Sequence, residues 1–531
     1  MVRGEGTQVV IVGAGPVGVG LAIDLGRRGV ACTIVEKRVG LSRIPKGQAL
    51  TQRTMEHFRR WGIADEVRAA RVMPPGYPTG MVTAFDSLAS DFWEAPPARE
   101  LVRDYYAEAD ERLPQYATEE VLRRYLATLP SVEGRFGWEA TDVDQDDGGV
   151  RVRITDGAQD ELLTAEYVVG CDGAGSLVRE SSELARTGTD WDELVVLAVF
   201  RAPGLHAGLE RLPPRGTYRV MRPDLKGYWI FFGRVDVGER FFFHAPVPRG
   251  TTRENLDVVA MLQNAAGFSF EVDVEHVGFW DLRVQVAQEY RAGRAFIAGD
   301  AAHTHPPYGG FGLNNGLEDA RNLAWKLAAA LQGWGGQALL DSYSLERQQV
   351  FNEVGEQIIG GWIRTDREFL ETYDPQVDRA SFEQGFAEIA REYGRRYASF
   401  EPHYDGSPVV LAPEGARTGA VGTHRFAARP GHHLAPQRLT SGEEVFDRLG
   451  PGFTLLAFDA PTSALEQFVT AATDLGIPFE VVADTAAGGR ERYASPLVLV
   501  RPDEYIAWVG GSAPSDPSEV LRTVAGLDQT S

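Results

Sequence analysis

The stretch QVVIVGAGPVGVGLAIDLGRRGVACTIVEKR, close to the start of the chain, permits very few folds. An apolar strand runs into Gly13, Gly15 and Gly18, a helix follows to about Arg28, and a second apolar strand ends at Glu36. Strand, GxGxxG turn, helix and second strand together predict a βαβ unit of a doubly wound parallel sheet. Gly13 allows the tight turn, Gly15 lets backbone approach a pyrophosphate, and Gly18 permits close helix packing. The helix start, with Pro16 at its head, offers free N–H groups to the anion. Glu36 is placed to meet ribose hydroxyls, with Lys37 beside it. To this point NAD and FAD fit equally.

With 531 residues, the chain exceeds what one hydrophobic core usually serves, so two or more domains are expected. The balance of 53 basic against 75 acidic side chains, a net charge of −22, excludes nucleic acid and anionic membrane surfaces as partners. Lysine occurs only at positions 37, 46, 226 and 326, and the arginine excess carries no functional weight. Cys32 and Cys171 form neither a disulfide framework nor a CxxC site. No apolar run approaches the roughly 18 residues of a membrane helix. A soluble, cytoplasmic chain without a targeting segment is expected, with homo-oligomerisation left open.

A second stretch, RAFIAGDAAHTHPPYGGFGLNNGLEDARNLAWKL at residues 294–327, decides between the two dinucleotides. A short strand at Ala295–Ala298 ends at Gly299 and Asp300, whose carboxylate suits the hydroxyls of a ribitol chain. The segment GGFGLNNG then begins a helix with Leu313, Leu317, Leu323, Leu327 and Leu331 at helical spacing, stopping near Gly333. Its N-terminal dipole stabilises negative charge, as a cofactor cycling through an anionic flavin requires.

In its fingerprint, in CDGAGSLVR at 171–179 and in the AGDAAHTHPPYGG segment, the chain resembles the FAD-dependent aromatic hydroxylases, typified by p-hydroxybenzoate hydroxylase and phenol hydroxylase. The resemblance implies an FAD site in which Asp172, Gly173 and Arg179 lie near both FAD and nicotinamide. It implies that Gly299 and Asp300 hold the ribitol, and that the Pro307 carbonyl lies near the reacting flavin edge. The backbone at Gly312, Leu313 and Asn314 would face the flavin pyrimidine. Within LPQYATEEVLRRYL, Gln115 is carried over as a contact to the flavin chain. Two departures stand out: Pro45, Lys46 and Gly47 replace the family's Pro-Arg-Ala, and Phe311 replaces a glutamine. Lys46 keeps the charge but loses the planar fork. The activity implied is hydroxylation of a phenolic substrate with NADPH or NADH and O2, by way of a flavin hydroperoxide.

The fold expected is α/β: a Rossmann-like FAD-binding domain, an inserted mixed β-sheet substrate domain and a thioredoxin-like C-terminal domain. Residues 1–185 form the first part of the FAD domain, with a substrate-domain excursion near 76–114, and residues 186–285 form the substrate sheet. Residues 286–400 return to the FAD domain and add interdomain helices, and 401–531 form the C-terminal domain. That last segment contains no cysteine, which excludes a thiol-reductase role and leaves packing, cavity closure or subunit contact. Within GYWIFFGRVDVGERFFFHAP, a hairpin turning near Val237 and Gly238, the polar-tipped candidates for holding or deprotonating a phenol are Tyr228, Trp229, Arg234 and His244, with His244 foremost. His305 is a further candidate for the substrate cavity. A metal at His303 and His305 is rejected, because no third ligand cluster lies nearby. A flavin halogenase lacks its WxWxIP segment here, and a flavin-free dehydrogenase has no use for the second and third motifs. A flavin oxidoreductase with other chemistry, or a non-catalytic flavin-binding regulator, remains the alternative.

Overall fold

The structure is a computed structural model in which residues 6–528 are described. Its first sheet has the strand order Arg291–Ala292, Ala295–Ile297, Tyr167–Gly170, Val9–Val12, Cys32–Glu36 and Val132–Phe136. All pairs are parallel except the Arg291–Ala292 edge. Val9, Val10 and Ile11 are completely buried, as a parallel strand covered on both faces requires. Helices Pro16–Arg27 and Phe311–Leu331 pack together over it. Because three adjacent parallel strands end at Val12, Gly170 and Ile297, the loops after them converge on one edge. Three motifs far apart in sequence thereby meet at the carboxyl ends of the strands, where doubly wound sheets bind ligands.

The second large sheet is mixed, in the order His303–Thr304, Asp273–Ala287, Arg186–Arg201, Arg240–Pro248, Ile230–Arg234, Thr217–Met221, Met81–Phe85 and Trp93–Glu94. Thr217–Met221 and Met81–Phe85 are parallel and the remaining neighbours antiparallel. His303–Thr304 follows the Ala295–Ile297 strand of the first sheet by only a few residues, so one segment belongs to both sheets and fixes their junction. Alternation along Ile230–Arg234 separates two cores. Phe231 joins Trp229, Phe242 and Tyr308 on one side, while Ile230 and Phe232 join Phe241 and Phe243 on the other.

The last sheet runs Phe479–Asp484, Phe453–Phe458, Leu497–Val500, Ile506–Gly510, with the first pair parallel and the others antiparallel. Helices Thr462–Asp474 and Pro517–Val524 complete the thioredoxin-like arrangement. Phe453 and Leu455 share a core with Trp325, Ala329 and Trp334, so this unit packs directly on the long helix.

Candidate active site

One cavity of about 820 Å³ runs from the glycine turn of the first sheet to the aromatic wall of the second. Gly13, Gly15, Pro16, Glu36, Lys37, Lys46 and Gln115 line its dinucleotide end. Gly13 has φ +100°, and a Cβ there would lie 2.4 Å from the Cys171 carbonyl oxygen, so the turn excludes any other residue. A Cβ at Gly15 would meet nothing, because the peptide opens onto the cavity. Gly18 acts differently. It lies off the cavity, and its missing side chain lets the helix close on the Gly13 carbonyl. Glu36 accepts from the N–H groups of Ala14 and Arg38, both at 2.9 Å, which fixes its carboxylate at the strand end. Gln115 accepts from the Gly47 N–H at 3.2 Å and donates to Glu119 at 2.7 Å.

Asp172 lines the cavity with Gly173. One carboxylate oxygen accepts from the Leu177 N–H at 2.7 Å, while the other is buried without a partner. Burial pushes its pKa up. Arg179 departs from the expected contact with cofactor. It is buried, and its guanidinium donates to the carbonyls of Ala174 at 2.9 Å and Ala301 at 3.4 Å and to Glu180 at 3.0 Å. It staples the turn after the Tyr167–Gly170 strand to the turn after Ala295–Ile297, and does not reach the cavity.

Asp300 is exposed to the cavity it lines, and desolvation by the surrounding protein raises its carboxyl pKa. Gly299, with φ +60°, sits behind it, donating to Asp319 at 3.0 Å and leaving room for Val17. His303 is held in a buried network. Asp319 takes His303 Nε2 at 2.6 Å and Arg347 at 2.7 Å, and Phe351 stacks on the imidazole at 3.9 Å. Among the described residues, donor atoms grouped closely enough for a metal occur at His403, Asp405 and His432, away from this cavity.

Pro307, Gly309, Gly310, Gly312 and Leu313 line the next part of the cavity. Gly309 and Gly310 both adopt left-handed φ, 74° and 73°, to turn the chain into the helix. Gly310 is its cap, so the N–H groups of Phe311, Gly312 and Leu313 have no acceptor within the helix. The Asn314 side chain is committed elsewhere: its carbonyl accepts from the Thr51 N–H at 2.9 Å and the Thr54 hydroxyl at 2.7 Å, and its amide donates to Gly310 and Ala49 carbonyls. Asn314 therefore braces the helix start from inside. Gln48, which the sequence reading passed over, lines the cavity with both amide atoms buried and unpartnered. Unpaired helix-start N–H groups, an orphaned amide and an open carboxylate form a donor and acceptor set that fits the ring carbonyls and ribitol of FAD.

The other end is aromatic. His244 is 3 % exposed, with Phe231, Trp280 and Phe242 rings at 4.8, 5.2 and 5.4 Å. Burial pushes its pKa down to about 3, against a hydrogen bond to the Val196 backbone. The imidazole is neutral, and its Nδ1 has no partner among the described residues. His305 also lines the cavity. Burial pushes it down to about 4 while one nitrogen bonds the Pro306 carbonyl, and Nε2 is unpartnered. Trp229 forms the wall beside them, its indole donating to Asp366 at 2.9 Å.

Two expected substrate residues lie elsewhere. Phe231 pairs with His244 in register, and Arg234, an odd number of residues on, points through the sheet to bond His206 at 2.7 Å and Tyr218 at 3.4 Å. Tyr228 is half-buried off the cavity, with Arg367 as its hydrogen-bond partner. Conversely, Arg99, Arg112, Thr304 and Tyr397 line the cavity without having been singled out from sequence.

Comparison with known proteins agrees with this geometry. Residues 6–357 match the FAD binding domain family and residues 427–527 match the aromatic-ring hydroxylase C-terminal family. The chain is 32% identical to a 4-methyl-5-nitrocatechol 5-monooxygenase of Burkholderia sp, over 97% of this chain and 96% of that one. It is 30% identical to the aklavinone 12-hydroxylase RdmE of Streptomyces purpurascens, over 97% and 98% of the two chains. Among solved structures, the flavin-dependent monooxygenase PieE in complex with FAD and substrate superposes with TM-score 0.85 at 26% identity, covering 99% of this chain and 100% of that one. RebC with reduced flavin gives 0.84 at 28% identity, covering 98% and 99%.

Proposed function

Because the chain belongs to the family of FAD-dependent aromatic-ring hydroxylases, we propose that it uses NADPH or NADH and O2 to hydroxylate a phenolic ring held against His244. The monooxygenase class and the FAD follow from the family. FAD, when bound, supplies electron transfer from nicotinamide and the activation of O2. The overall change is substrate–H + NAD(P)H + H⁺ + O2 → substrate–OH + NAD(P)⁺ + H2O.

The protein's own residues bind, orient and exclude water. Gly13, Gly15 and Glu36 receive the adenosine diphosphate end, and Asp300 accepts from ribitol hydroxyls. The helix start at Gly312 and Leu313 places N–H dipoles against negative charge on the flavin pyrimidine. At the aromatic end, a flat ring lies between Phe231, Phe242 and Trp280, where water is displaced by apolar walls. His244 Nδ1, neutral at working pH, accepts a hydrogen bond from the phenolic hydroxyl there, drawing the O–H toward it and raising electron density on the ring. A single observation carries this reading: one continuous cavity is lined both by the three dinucleotide-side motifs and by His244, whose buried Nδ1 has no partner among the described residues.

The reading is tested with purified, FAD-loaded protein and a panel of phenols, following NAD(P)H oxidation, O2 uptake and the origin of the new oxygen. Substrate-stimulated oxidation and one labelled atom from O2 in the product are expected. Incorporation from water would overturn it.

A further inference from the structure

Arg112 is a buried cation without a counterion, and it lines the cavity. Its side chain is 6 % exposed. Its hydrogen bonds go to neutral oxygens, the Thr217 hydroxyl at 3.4 Å and the Arg234 carbonyl at 3.2 Å, and its Nε has no partner. Among the described residues no carboxylate lies within salt-bridge distance of it. Its principal electrostatic neighbours are two more arginines, Arg99 and Arg234, and two phenols, Tyr77 and Tyr218. Burial and then the charge of Arg99 push its pKa down to about 9, which leaves it protonated at neutral pH. Buried charges are ordinarily paired, since desolvating an isolated one costs several kcal/mol or more. A protein with a net charge of −22 has carboxylates to spare, yet places none here.

The local structure keeps room for this side chain. Arg112 is held by backbone pairing with Ala49. It runs across Gly216, where a Cβ would fall 2.8 Å from its Cδ and Nε. Its guanidinium carbon stands 5.9 Å from the Phe242 ring, and that same ring lies 5.4 Å from His244. A flat ligand stacked along Phe242 can therefore set one oxygen at His244 and another at Arg112.

We propose that Arg112 is the counterion of the substrate: the cavity selects aromatic compounds that carry an anionic oxygen group, a carboxylate or acidic enolate, in addition to the hydroxyl received by His244. The guanidinium fork binds such a group through two parallel hydrogen bonds, which neutralises the unpaired charge as substrate enters. This inference rests on the function proposed above, and its test is binding alone, so that it fails separately from turnover.

FAD-loaded protein is titrated with 3-hydroxy-2-naphthoate and with the neutral 3-hydroxy-2-naphthamide, following the flavin absorbance. The anion is expected to bind wild type at least about tenfold more tightly than the amide, about 1.4 kcal/mol. In Arg112→Met the preference collapses while FAD is retained, and in Arg112→Lys it is partly restored. Equal affinity of wild type for both probes overturns the proposal, and that arm needs no variant to fold. Weakened FAD retention in Arg112→Met, with the probe preference intact when FAD is kept in excess, would assign Arg112 to the cofactor and overturn it as well. Methyl 3-hydroxy-2-naphthoate, whose acidic group is masked, separates carboxylate from phenolate recognition: it should bind as weakly as the amide, and binding as tight as the free acid defeats the assignment.

Discussion

Single side chains in this cavity differ chiefly in whether another protein group already satisfies them. Asp300 opens onto the cavity, so its replacement removes charge-assisted hydrogen bonds to ribitol without leaving a protein donor stranded. Asp300→Ala should weaken FAD retention by about 1–3 kcal/mol, read by flavin titration. Unchanged affinity would remove it from the site. His244 is the opposite case, neutral because burial holds its pKa near 3. Lowered below the ordinary histidine value, it stays an acceptor throughout pH 5–8 and protonates only as pH falls toward 3. The activity profile between pH 5 and 8 should therefore show no inflection belonging to His244. His244→Phe should lower kcat by about tenfold, the loss of one hydrogen bond to the phenol, while FAD binding persists. A wild-type inflection near 6.5 that vanishes in this variant would contradict the neutral assignment.

At the scale of elements, the most telling unit is the turn from Pro307 into the Phe311–Leu331 helix. Two successive glycines in left-handed conformation bring the helix axis onto the cavity, and Asn314 ties the turn to Thr51 and Ala49. Gly310→Ala forces a Cβ to φ +73° and within 3.1 Å of the Ala49 Cβ. A cost of about 1–2 kcal/mol in stability is expected. The thermal midpoint should fall, and FAD should rescue less of it than in wild type. An unaltered midpoint would show that the turn carries no strain. This element was legible in the sequence because glycine spacing and the leucine period are local signals. Arg234 was not, because both faces of its hairpin are apolar and only register places it opposite His206. Gln48 and Arg112 sit beside or within two-residue strands, too short for any periodicity to reveal. Arg179 shows a further limit: its motif put it near the cofactor loops, but which carbonyls it staples depends on how three distant strand ends meet.

Across the whole molecule, the C-terminal unit is joined by buried charge to the Phe311–Leu331 helix, whose start lines the cavity. Arg321 bridges Asp24 at 2.5 Å and Glu504 at 2.6 Å, Arg53 bridges Glu318 at 3.0 Å and Glu504 at 3.1 Å, and Glu346 takes both Lys326 and Arg501 at 2.7 Å. Glu504 belongs to the loop between the strands Leu497–Val500 and Ile506–Gly510, while Arg321 and Glu318 lie on the helix whose first turn faces the cavity. The C-terminal unit thus bears on the site by fixing that helix, although none of its described residues lines the cavity. Such pairs need not add stability relative to an apolar core, but removing one partner strands the others in a low dielectric. For Glu504, burial works to raise the pKa, and Arg321, Arg53 and Arg60 outweigh it, taking it from 4.5 to about 2. A carboxylate lowered on folding contributes stability above its unfolded pKa and loses it as pH falls toward the folded value. The shift corresponds to about 3 kcal/mol, present at pH 7 and lost between about pH 4.5 and 2. Glu504→Gln should therefore cost about 3–5 kcal/mol at pH 7 and progressively less below pH 4.5. Thermal unfolding of both proteins from pH 7 to 3, with FAD bound, measures this. If their midpoints run parallel at every pH, Glu504 does not hold the C-terminal unit to the helix through its charge.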